Sequence, residues 1–184
     1  MAVNDTANVS VTKGVVGGYC FLAPIGTTLP TDATTALDNA FVNTGYLSDD
    51  GVTHSKSAST TNFYDLNGMT IETAQSEVER TLKLKYVELN PVVLAEAYGA
   101  DNVTSTNSLI TYFDTNAEMV HKSMVLELVL RNGRRYRRIF PDVKVTEWGD
   151  QTNVASELAG FELTYTKYPD TNGKFEHGYL EPVA

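Results

Sequence analysis

The sequence predicts a mainly β domain with one short helix, a sheet whose single helix is laid over an opening. Three observations carry the prediction. From Ser76 to Tyr86 the chain alternates: Val78, Leu82, Leu84 and Tyr86 share one parity, and Glu77, Glu79, Thr81, Lys83 and Lys85 share the other. That is the period of a strand with one face on a core and one polar face, interrupted once at Arg80. The period changes at Asn90-Pro91, a good N-cap followed by the residue best suited to the first helical position. Val93, Leu94, Ala97 and Tyr98 then form an apolar stripe that Gly99 is placed to stop. The rest of the chain reads as strand-like runs separated by turns.

In chain order, residues 1–13 read as a polar N-terminal arm. Gly14 to Ala23 reads as the first strand, with Gly17-Gly18 marking a bulge or a close backbone approach. Pro24 to Asn39 is a loop in which Asp32 can cap a short helical turn over Ala33–Asn39, and Phe41 to Leu47 is a second strand. Ser48 to Gly68 is rich in Ser, Thr, Asp and Asn and reads as a long interaction loop. Loops beyond ~12–15 residues without packing of their own usually serve a partner or a function. Its interior is also compatible with a marginal hairpin, which alone would be barely stable. Asp101 to Ser108 is a polar turn region and Leu109–Phe113 a short strand. Ala117 to Arg131 alternates as a strand, with a helix as rival; Asn132-Gly133, the strongest short hairpin signal, favours the strand. The return strand is Arg134–Phe140, closed or edged by Pro141. Val143–Trp148 and Glu157–Tyr168 follow as strands, and residues 169–184 read as a C-terminal arm.

At 184 residues and 20% charged residues, the chain is one globular domain spanning 1–184. A formal net charge of -9 argues against tight, sequence-independent nucleic-acid binding, which depends on cations neutralising phosphates. The single cysteine, Cys20, excludes an internal disulfide and a multi-thiolate zinc site, and its apolar neighbours mark it as a buried structural thiol. The uncharged run Gly14–Thr31 is too rich in Gly, Pro and Thr for a membrane helix, so no membrane insertion is expected. His54, His121 and His177 are isolated and no metal-ligand spacing appears. Asp170-Thr171-Asn172-Gly173 begins like a calcium loop but lacks the later glutamate, so it reads as a turn. The expectation is a protein without catalytic residues, cofactor or metal, and not an enzyme.

Arg131, Arg134, Arg135, Arg137 and Arg138 crowd around one hairpin turn. Three readings compete: nucleic-acid contact with Tyr136 interleaved, a solvated hairpin tip, and an intersubunit patch facing acidic residues of another copy. The last is preferred, because arginine forks suit carboxylates at interfaces.

Three stretches resemble the major tail tube protein of long non-contractile-tailed bacteriophages, the siphovirus type. They are TKGVVGGYCFLAPIGTTLPTDATTALDNAFVNTGYLSDDGVTHS, TIETAQSEVERTLKLKYVELNPVVLAEAYGADNVT and RRIFPDVKVTEWGDQTNVASELAGFELTYTKYPD. The phrase APIGTTLPTDATTALDNAFVNTGYLSDDGV is the most telling. The resemblance implies a β-sandwich or half-barrel subunit with one short helix, an extended loop and terminal arms. It implies stacked hexameric rings that form the conduit for double-stranded DNA, which passes without tight binding. The partners implied are further copies of the chain, the tape measure protein, and the tail terminator and tail-tip proteins. The location implied is the virion tail, assembled in the host cytoplasm. Some relatives carry an immunoglobulin-like C-terminal domain; ending at Ala184, this chain is expected to lack one.

On that footing Glu77, Glu79, Thr81, Lys83, Glu162, Thr164 and Thr166 are the lumen-facing candidates. Asp49, Asp50, His54, Lys56, Phe63, Tyr64 and Asp65 join the five arginines as inter-subunit candidates. Deleting Asp49–Asp65 is expected to leave a folded subunit unable to form tubes. Two alternatives stand: a tube-capping or terminator-type tail protein with the same fold, and a virion-surface β-sandwich binding module.

Overall fold

The structure, a computed structural model, describes residues 4–182. Its strands are β1 (Lys13–Gly14), β2 (Cys20–Pro24), β3 (Val42–Asn43), β4 (Leu47–Tyr64), β5 (Thr70–Tyr86), β6 (Val103–Ser105), β7 (Ile110–Tyr112), β8 (Lys122–Val129), β9 (Arg135–Trp148), β10 (Phe161–Tyr168) and β11 (His177–Leu180). One α-helix, α1 (Pro91–Tyr98), stands among them, so the mainly β expectation holds.

A nine-stranded antiparallel sheet runs in the order β3-β2-β8-β9-β10-β5-β4, with β1 added to β8 and β11 to β9. The small β6-β7 hairpin stands apart. Period-two patterning gives the sheet two different faces. One face carries Leu82, Leu84, Met124, Phe140, Leu163 and Tyr165, and α1 closes it with Val93, Leu94 and Ala97. The helix begins as the sequence dictates: Asn90 Oδ1 accepts from Val93 N at 3.0 Å, Pro91 is its first residue, and Gly99, at φ 90, ends it. Trp148 Nε1 donates to Ala97 O at 2.8 Å and pins its last turn to β9. The opposite face is covered only at the β2-β8-β9 side, where Leu29, Leu37 and Ala40 of the long connection pack on Ala23, Phe41, Val125 and Ile139. Beyond β9 this second face is open.

The glycine pair acts as expected. β1 and β2 occupy one edge of β8, and residues 15–19 loop out between them opposite Glu127, which accepts from Val15 N and donates to Tyr19 O. Gly17 sits at φ 98, and a Cβ at Gly18 would come within 2.8 Å of Phe21. At the β8-β9 turn Asn132 and Gly133 adopt φ 64 and 77, the left-handed values that the Asn-Gly signal anticipates.

Other elements differ. Ala33–Asn39 forms no helical turn, although Asp32 Oδ1 accepts from Thr34 N and Thr35 N as a cap would. The expected Phe41–Leu47 strand is broken: Val42–Asn43 form β3 and Leu47 already opens β4, because Gly45, at φ 89, turns the chain between them. Within the described residues the C-terminal arm is docked through His177–Leu180: β11 pairs with β9 and extends the line of β10 after the 169–174 turn, while residues 183–184 of the expected arm lie outside the described residues. That turn matches expectation, with Asp170 Oδ1 accepting from Asn172 N and Lys174 N. The largest difference is Ser48–Gly68. Its first seventeen residues belong to β4, which pairs with β5 from Leu47↔Tyr86 to Tyr64↔Thr70.

Candidate assembly and lumen surfaces

β5 is longer than its neighbour β10. Pairing with β10 covers only Thr81–Tyr86, so Thr70–Arg80 and the facing part of β4 leave the body as a two-stranded ribbon with both edges open. At about 3.3 Å per residue the projection spans roughly 35 Å. The ribbon is closed by Asp65, whose Oδ1 accepts from Asn67 N at 2.9 Å and Met69 N at 2.7 Å, while Gly68 sits at φ 80. These backbone donors, Met69 N foremost, hold the Asp65 carboxyl below its usual pKa. Between Ser55 and Glu77 no residue is buried. Phe63 (50% exposed), Tyr64, Leu66 (106%), Met69 and Ile71 instead gather apolar surface at the tip. With buried large apolar side chains worth about 1.5–3 kcal/mol each, a ribbon that buries none has little to hold it outside an assembly.

The open second face of the sheet begins at the root of the ribbon. Thr81, Lys83 and Lys85 stand opposite Thr166, Thr164 and Glu162 in register, so six polar side chains share that face. Lys83 Nζ and Glu162 Oε1 are 2.7 Å apart, and that contact raises the lysine's pKa. Thr166 and Thr146 share a hydroxyl hydrogen bond of 2.9 Å. Thr164 is largely covered (9% exposed), and Lys83 stands out. Glu77 and Glu79 continue the same parity along the exposed ribbon, away from α1, whose contacts are with the Leu82 and Leu84 parity.

The five arginines do not form one patch, because consecutive β9 residues point to opposite faces. Arg137 corrects the expectation of an interface cation: its side chain is 4% exposed and ion-paired with Glu127 of its own chain at 2.7 Å, and its Nη1 donates to Asp32 O at 2.9 Å. Arg138 lies on the other face, its Nε and Nη2 on the two carboxylate oxygens of Glu176 at 2.6 and 3.1 Å. Arg134 Nε donates to Glu181 O, and Arg131 and Arg135 are exposed beside the turn.

His54 belongs to the Arg138 group. Its Nε2 lies 2.6 Å from Arg138 Nη1, its Nδ1 3.3 Å from Lys167 Nζ, and its ring centroid 5.7 Å from that of Phe140. Burial, with Arg138 and Lys167 alongside, lowers its pKa to about 4. Lys167, almost fully covered, is also shifted down by burial. Arg80, the interruption in the β5 pattern, stacks its guanidinium 3.9 Å over Phe175. Lys56, Asp49 and Asp50 are exposed along β4, where Ser48 Oγ donates to Asp50 Oδ2 at 2.7 Å.

One buried polar network escaped sequence reading. Glu96 sits buried under α1, accepting from Tyr165 OH at 3.2 Å and ion-paired with Lys122; Tyr165 in turn shares a 2.9 Å hydrogen bond with Tyr86. Its place within the apolar stripe of α1 gave no signal beyond one charge in a covered turn. Cys20, beside this network, is fully buried and its thiol is pushed up to about 11 by burial, an inert structural thiol as expected. No described helix is long and apolar enough to cross a membrane.

The family of proteins described as phage tail tube protein matches residues 1–177. No curated protein matches the chain.

Proposed function

The chain belongs to the phage tail tube protein family and so has a structural role in the virion tail; from that premise we propose that it closes into hexameric rings which stack into the conduit for double-stranded DNA. The observation that carries this reading is the ribbon. A 17-residue strand whose outer half pairs with only one other strand, bearing an apolar tip, is out of place in a molecule that works alone. Identical neighbours supply what it lacks, since head-to-tail cyclic contacts close the ring and repeat from ring to ring.

In this reading the open face carrying Thr81, Lys83, Glu162, Thr164 and Thr166, extended by Glu77 and Glu79, lines the bore. Its hydroxyls and its Lys83–Glu162 pair, with Glu77 and Glu79 beyond them, offer a mixed lining with an excess of negative charge, so DNA is contacted without being held. The tube surrounds the tape measure protein during assembly in the host cytoplasm and is bounded by terminator and tail-tip proteins. The ribbon, with Phe63, Tyr64 and Asp65 at its end, makes contacts between rings, and Asp49, Asp50, Lys56, Arg131 and Arg135 lie at the subunit margins.

Electron microscopy of the purified chain tests the proposal. Tubes of variable length with a six-fold end view are expected. Single closed rings at every concentration favour the tube-capping alternative, and a monomer that binds a virion shell favours the surface module.

A further inference from the structure

The first face of the sheet carries a trough with two chemically different halves. One is a groove of about 860 Å³ whose walls include Val15, Val16, Tyr19, Tyr46, Val52 and Leu128. The other is a smaller cavity of about 260 Å³ edged by Lys56, Arg80, Arg138, Lys167, Phe175 and Glu176. His54 and Arg138 border both, so the halves are continuous.

The basic half is short of carboxylates. Four cations surround Glu176, which is engaged by Arg138 and reaches Lys167 only at 3.5 Å. His54 offers Lys167 no relief: Arg138 donates to Nε2, so a neutral ring carries its hydrogen on Nδ1, toward the ammonium. Arg80 rests on Phe175 with no carboxylate partner among the described residues.

The far ribbon has the complementary makeup. From Ser57 to Glu79 there are four carboxylates, Asp65, Glu72, Glu77 and Glu79, and no lysine or arginine. Its tip presents Leu66, Met69 and Ile71 to solvent, with Glu72 exposed just behind them and cross-strand from Phe63. The ribbon cannot serve its own trough. His54 at the trough and Tyr64 at the tip are ten residues apart on one extended strand, about 33 Å.

We propose that the tip of one copy's ribbon seats in the trough of a second copy, Leu66 and Met69 in the groove and Glu72 against Arg80 and Lys167. The inference rests on the tube-subunit reading and names the surface that receives the ribbon. The contact is heterologous, since each copy offers one tip and one trough, and so it repeats without limit.

Purified chain carrying both Leu66→Cys and Val16→Cys, assembled and then oxidised, is expected to give a ladder of disulfide-linked multimers. Cys20, fully buried, does not compete. Glu72→Lys and Arg80→Glu are each expected to raise the concentration needed for assembly at least about tenfold, and the double variant to recover most of it. Circular dichroism and gel filtration of each variant confirm a folded subunit. A tip variant (Leu66→Asp, Met69→Asp) mixed with a trough variant (Val16→Asp, Tyr46→Asp) is expected to give short two-layer stacks and no tubes. Tubes that form normally from the tip variant, or assembled tubes in which the cysteines fail to link, overturn the docking while leaving the subunit reading intact. A wild-type chain that never assembles overturns both.

Discussion

Burial changes the meaning of a charged residue in this chain. Arg137 and Glu127 are 3% and 6% exposed and face each other across β8-β9, so loss of one partner strands the other in the second core cluster. Arg137→Leu is expected to cost about 3–5 kcal/mol in urea unfolding of the subunit, and Arg137→Leu with Glu127→Leu to regain most of it. A surface interface cation would instead leave folding untouched and impair assembly. His54 makes a second prediction. Its folded pKa of about 4 lies below the ordinary 6.5, so the unfolded chain binds the proton first as pH falls. The contribution of His54 is therefore intact above about 6.5 and is lost progressively on descent to about 4. Thermal melts across that range should slope more steeply for the wild type than for His54→Gln; equal slopes would show that the ring is not held neutral. The sequence marked both residues but not their burial, since strand alternation does not say which face a neighbouring segment will cover.

Elements with a strong local period were legible and those defined by a distant partner were not. β5 and α1 follow from alternation and from Asn90-Pro91…Gly99, the β8-β9 turn from Asn132-Gly133, and the broken β1-β2 edge from Gly17-Gly18. β4 was hidden because its Ser, Thr and Asn residues bury nothing; only pairing with β5 makes it a strand. β11 was hidden because four residues become a strand by filling the β9 edge that β10 vacates. These facts revise the deletion that the sequence recommends. Removing Asp49–Asp65 would also remove Val52, which packs on the main core, and so would damage the fold. Replacing residues 59–77 with Asn-Gly spares the root and keeps the Ala58↔Val78 register. This shortened subunit is expected to stay folded, with an unfolding free energy within about 1 kcal/mol of the wild type because no buried position is lost, and to form no tubes by electron microscopy. Normal tubes would remove the ribbon from the assembly mechanism.

At the scale of the molecule, the β10-β5 part of the second face of the sheet lies uncovered, and its side chains are polar. If that part lines a bore, a group attached there is enclosed when copies assemble. Lys83→Cys carrying a biotin-maleimide is expected to bind streptavidin as free subunits and to be shielded at least about tenfold in intact tubes, while small thiol reagents still reach the cysteine. Equal streptavidin binding in both forms would put the Thr81–Lys83 face outside. The family match and the mainly β architecture were readable from phrasing and period. The sidedness of the sheet was not, because it depends on where the 25–41 connection lies down.

The two margins of the sheet, β3 with two residues and β4 with eighteen, have a kinetic consequence. The hydroxyls, two aspartates and lysine along β4 make it a poor template for casual pairing, since each row gains little until many rows form together. If copies pair along β4, starting an assembly would be slow and lengthening one fast. Subunits would then accumulate without clumping, and a preformed end, offering every row at once, would set where growth begins.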